Sequence, residues 1–101
     1  MKFGRWIPLA EAVAPDGPGV LEARVESLIE YPRGKSAMVH YDGGDSLAAA
    51  LDRLRAIATI PLWVRFATVE KPQDQLARLL RDFEDRFGEK PTVARAAPAR
   101  R

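Results

Sequence analysis

Ser36–Leu54, SAMVHYDGGDSLAAALDRL, is the stretch whose reading decides how this chain folds. Ser36 to Tyr41 alternates as a strand does, with Ala37, Val39 and Tyr41 on one face and Met38 and His40 on the other. Asp42-Gly43-Gly44-Asp45 ends that strand, because glycine beside aspartate favours turns. Asp45 or Ser46 can then accept hydrogen bonds from the first free amides of a helix. Leu47, Ala50, Leu51, Leu54, Ile57 and Ala58 carry the three-to-four spacing of a core-facing stripe. Strand, glycine turn and helix start meet at one corner, which is where many α/β domains place their chemistry.

Working outward, residues 19–26 alternate Val20, Glu22, Arg24 and Glu26 with Leu21, Ala23 and Val25, a half-buried strand whose second set faces the core. Pro32 and Gly34 within Leu28–Lys35 supply the turn into the Ser36 strand. Upstream, Pro8 suits the first position of a short helix to about Val13, Trp6 anchors over the sheet, and Pro15–Gly19 redirects the chain. Downstream, Leu62–Val69 reads as a third strand rich in aromatic and branched residues. Pro72 opens a last helix with the stripe Leu76, Leu79, Leu80, Phe83 and Phe87, and Gly88 closes it in a left-handed cap. Its outer face offers the four-residue ion pairs Asp74–Arg78, Arg78–Asp82, Arg81–Asp85 and Asp82–Arg86. The order short helix, strand, strand, helix, strand, helix predicts an α+β domain over residues 1–91, with a three-stranded mixed or antiparallel sheet flanked by helices. Residues 92–101 have no periodicity and read as a flexible basic tail.

Composition narrows the function classes. The chain has 101 residues, 47% hydrophobic and 30% charged, enough for one modest core. No apolar run approaches the roughly 20 residues that span a bilayer, and the start lacks a long apolar signal core, so no membrane partner and a cytoplasmic location are expected. Without cysteine there is no disulfide or thiolate metal site. The net charge is +2. Arg95, Arg100 and Arg101 follow Pro91 with no acidic residue among them, leaving 13 basic against 14 acidic groups in residues 1–91. A near-neutral body gives no general electrostatic reason to hold nucleic acid.

Gly19-Val20-Leu21 on the first strand, Tyr41-Asp42-Gly43 on the second and the closing FGEKP together resemble the GIY-YIG nuclease domain over residues 3–91. The resemblance implies that two tyrosines near the scissile phosphate, an arginine on the first helix and a metal-holding glutamate on a later helix do the chemistry. Phosphodiester cleavage needs a proton taken from water and the developing charge offset. In this chain Tyr41 and Gly43 match the family positions, while Leu21 stands at the first tyrosine and Ala50 at or near the arginine. Arg53 lies about one turn beyond. The glutamate position falls on Gln75, Leu76 or Asp82, of which only Asp82 could hold a metal, and Thr92 or Val93 replaces an asparagine. The resemblance therefore implies a catalytically inactive scaffold without a cofactor.

Three functions follow as expectations. The first is a small adaptor that binds another protein or itself, with Trp63 and Val69 on the sheet as contact residues. The second is a nucleic-acid-binding protein that does not cleave, using Arg5, Arg33, Lys35, Arg53 and the basic tail. The third is a residual nuclease in which Tyr41, Arg53 and Asp82 act with a divalent metal. Tyr41 also reads as a strand-end aromatic packed on Leu47, and the lone His40 makes neither a triad nor a metal cluster.

Overall fold

Two long strands joined by a tight turn carry the fold, which a computed structural model describes for residues 1–96. β1 is Ile7–Pro8, β2 Gly19–Tyr31, β3 Gly34–Gly44, α1 Leu47–Ile57, β4 Trp63–Thr68 and α2 Pro72–Phe87. The sheet has four strands in the order β1-β4-β2-β3, and every pairing is antiparallel. The fourth strand is the two-residue β1, which pairs Ile7 with Val64. The helix expected from Pro8 is a single 3-10 turn, Leu9–Glu11. No helix among the described residues is long and apolar enough to cross a membrane.

β2 is the central strand, and both of its faces are covered. Leu21 and Ala23 join Leu47, Ala50, Leu51 and Leu54 of α1 and Val64 and Phe66 of β4 in one apolar cluster. Val20 and Glu22 point the other way and are buried as well. α2 packs on that second face: Phe83 meets Tyr41 edge-on at 6.1 Å, and Tyr41 is the β3 residue opposite Glu22. Tyr31 and Phe87 complete the aromatic cluster, at 5.0 Å from Phe83 and 4.5 Å from Phe83 respectively. The expected stripe of α1 holds for its first two turns, but Ile57 is 47% exposed.

Two irregularities separate the observed hairpin from simple alternation. Ala23 lies opposite His40 and Arg24 opposite Met38, so Val39 is an extra residue on β3. A bulge of this kind turns two successive side chains toward one face. Val39 consequently joins the α1-side core, and Tyr41 goes to the α2 side rather than sharing its face. Farther along, β2 spends Val25–Leu28 opposite Ala37 alone before Ile29 pairs with Ser36. The strand therefore runs on to Tyr31, well past its expected end, and the turn is Pro32–Arg33.

The ends of the helices follow their sequence signals. Ser46 accepts a hydrogen bond from the Ala49 amide at 3.1 Å and caps α1. Pro72 is the first residue of α2, and Gly88 ends it at φ 90°. The chain then departs from the expected tail. Thr92–Ala96 folds onto the sheet through a 3-10 turn, Val93–Arg95, whose Val93 is buried in the core cluster. Arg95 pairs there with Glu89 and lies 5.5 Å over the Tyr31 ring. Arg100 and Arg101 lie outside the described residues.

Gly88 is doubly constrained, because a Cβ there would also stand 2.9 Å from the Pro32 side chain. Gly88→Ala is expected to cost about 1–2 kcal/mol of stability from the left-handed backbone alone. A urea titration showing an unchanged midpoint would contradict this account.

Candidate functional site

The residues that the sequence resemblance singled out are divided between the two faces of the sheet. Leu21 and Ala50 are fully buried in the α1-side core. Tyr41 is on the other side against Phe83, not against Leu47. Burial, and after it the nearby Glu22 carboxylate, pushes the Tyr41 phenol up to about 12, so it stays protonated at neutral pH. Gly43 is placed by packing: a Cβ on it would sit 2.5 Å from the Gly19 carbonyl oxygen. Asp82 is exposed on α2, while Gln75 and Leu76 are half-buried. The Thr92 amide donates to the Tyr31 hydroxyl at 3.4 Å. Among the described residues no group of three or more His, Asp or Glu is placed to hold a metal. His40 is half-buried on the α1 side, with its Nε2 enclosed and unpartnered among the described residues. Burial lowers its pKa against the opposing pull of Asp42.

The basic candidates do not gather on one surface. Arg33 donates to the carbonyl oxygens of Glu84 and Asp85, at 3.2 and 2.9 Å, and so caps the C-terminal end of α2. Lys35 pairs with Glu30 at 3.6 Å, and Arg53 with Asp42 at 2.8 Å. Arg5 is exposed beside β1, at the sheet edge opposite β3. None of the four ion pairs expected along α2 is formed among the described residues, and Arg86 instead lies 5.2 Å over Phe87. Exposed pairs of that kind contribute little, and nothing in the packing enforces them.

Two features were hidden from the sequence. The first is a buried ion pair. Arg65 on β4 donates to the Glu22 carboxylate at 2.5 Å, with the Glu22 side chain only 4% exposed. The aromatic rings of Phe3 and Trp6 stand 4.9 and 4.5 Å from the Arg65 guanidinium. This clamp ties the N-terminal segment to the sheet and gives Trp6 its sheet-covering role. Glu22 has a raised pKa because burial outweighs the opposing effect of Arg65. Matching parity on two strands, with aromatics upstream, was the only signal, and it needs the β2–β4 pairing to be read.

The second feature is the surface around Trp63. Its half-buried indole borders three adjoining recesses of about 320, 280 and 280 Å³. The first is walled by Pro8, Leu9, Ile60, Pro61 and Leu62, with Arg55 at its margin donating to the Leu9 and Ala12 carbonyls. Val69 is at the far end of β4, in a separate recess with Asp16 and Pro18, about 20 Å away at the usual strand rise. Trp63 and Val69 therefore belong to different surfaces.

Comparison with known proteins adds no relative: no family model, no curated protein and no solved structure matches the chain.

Removing Arg65 tests the ion pair. Arg65→Met leaves Glu22 enclosed without a counter-charge, and the expected loss at neutral pH is about 3–5 kcal/mol. Glu22 is protonated in both folded and unfolded chains below its ordinary pKa of 4.5, so its share of the loss is absent there. That share appears as pH rises through the higher folded pKa. Urea titrations should show the deficit shrinking toward pH 4.5, and adding Glu22→Gln should recover it at pH 7. A deficit independent of pH would assign the loss to the aromatic clamp alone.

Proposed function

We propose that this chain is a GIY-YIG-like scaffold that works by binding protein and does not cleave phosphodiesters. The observation that carries the reading is the burial of Leu21 and Ala50, the residues at two of the family's chemical positions, in solid apolar core. Neither side chain can donate, accept or hold charge. Tyr41, on the opposite face, has a phenol that stays protonated, and the cation that acts on it, Arg65, is already paired with the Glu22 carboxylate. Trp63 instead borders apolar recesses on the surface, and half-exposed indoles in such settings are the usual anchors of protein contacts. The nucleic-acid reading draws less support, since Arg33, Lys35 and Arg53 are each engaged within the chain.

The test compares two variants with the parent chain. Supercoiled plasmid incubated with magnesium or manganese is expected to stay intact. Binding to a purified protein partner, or self-association, is expected to be lost in Trp63→Ser and kept in Tyr41→Phe. Plasmid nicking that disappears in Tyr41→Phe would reverse the reading in favour of the nuclease.

A further inference from the structure

We infer that the surface around Trp63 docks against the same surface of a second copy of this chain, an inference that rests on the protein-binding reading and names the partner. Trp6, Arg24, Glu26 and Trp63 line one recess. Arg24 and Glu26 are two residues apart on β2, about 7 Å along a strand, and their side chains reach the same hollow. Neither has an ion-pair partner among the described residues. The Arg24 guanidinium lies over the Trp6 ring at 5.3 Å and is not paired with Glu26. The surface thus presents one cation and one anion side by side, flanked by the apolar recesses that Trp63 shares with Pro61 and Ile60. Leu28, 65% exposed, follows on the same strand.

A twofold interface uses one patch twice, so the patch must be its own complement. This one is. A twofold axis passing between Arg24 and Glu26 sets Arg24 against the partner's Glu26 and Glu26 against the partner's Arg24, while both Trp63 indoles leave water. A ligand of a single sign has no such fit, because attraction at one residue is offset by repulsion at the other.

Charge reversal reads this directly. The parent chain is expected to pass from monomer to dimer between micromolar and millimolar concentration in sedimentation equilibrium. Arg24→Glu and Glu26→Arg each place two like-charged contacts across the axis, and each should weaken association by about tenfold or more. An equimolar mixture of the two single variants should associate as a heterodimer, and the double swap Arg24→Glu/Glu26→Arg should associate with itself. The mixture makes the result independent of any loss of folding, since a misfolded variant cannot be rescued by the other. A parent chain that stays monomeric at millimolar concentration, or a mixture no better than its components, overturns the inference. If the monomer still binds a purified heterologous partner through Trp63, the protein-binding reading stands and only the second copy is wrong. Failure of that binding as well removes both.

Discussion

A carboxylate enclosed at the centre of a sheet must be neutralised or paired, and the arrangement of one face of this protein follows from how Glu22 is paired. Arg65 comes from the neighbouring strand, so the pair exists only when β2 and β4 are in register. The guanidinium in turn needs cover, and Phe3 and Trp6 supply it from a segment that is otherwise held by a two-residue strand. Tyr41 sits beside the same carboxylate and feels it as a raised phenol pKa. A single polar residue on β2 thereby links the register of β2 and β4, the placement of the N-terminus and the chemical character of Tyr41.

What the sequence disclosed was the local part. Ser46 and Gly88 act within a turn of where they stand, and their roles as caps were legible without knowing what packs on the helices. So were the core positions Leu21, Ala23, Leu47 and Leu54, because periodicity is itself a local signal. The bulges were not legible. Whether Val39 and Tyr41 share a face depends on which residue of β2 lies across from each, and alternation cannot report a residue inserted by pairing. The same holds for Glu22, whose polarity suggested solvent until a helix was found on both faces. Val93 is a single apolar residue in a stretch without a period, so nothing marked Thr92–Ala96 as docked.

The likeness to the nuclease family has a physical explanation that does not involve chemistry. Its glycines answer to close packing: at Gly19 a Cβ would stand 2.3 Å from the Ala67 carbonyl oxygen and 2.7 Å from the Leu47 side chain. Gly43 faces the equivalent limit against β2. A hairpin gripped between β4 and the start of α1 requires small residues at these places whatever the domain does. Close packing alone therefore accounts for the glycines on which the resemblance rests, and Leu21 and Ala50 are core residues in their own right.

The Arg33 cap carries a consequence for how the molecule assembles. It links the hairpin tip to carbonyls 51 and 52 residues later in the chain, across β3, α1, β4 and nearly all of α2. Closing so long a loop is entropically unfavourable unless the intervening elements are in place, a demand it shares with the β2–β4 pairing of Gly19 with Thr68. The Arg33 clasp, with Gly88 seated beneath Pro32, is in this sense a seal on the finished domain: it exists only where the hairpin tip and the end of α2 have been brought together.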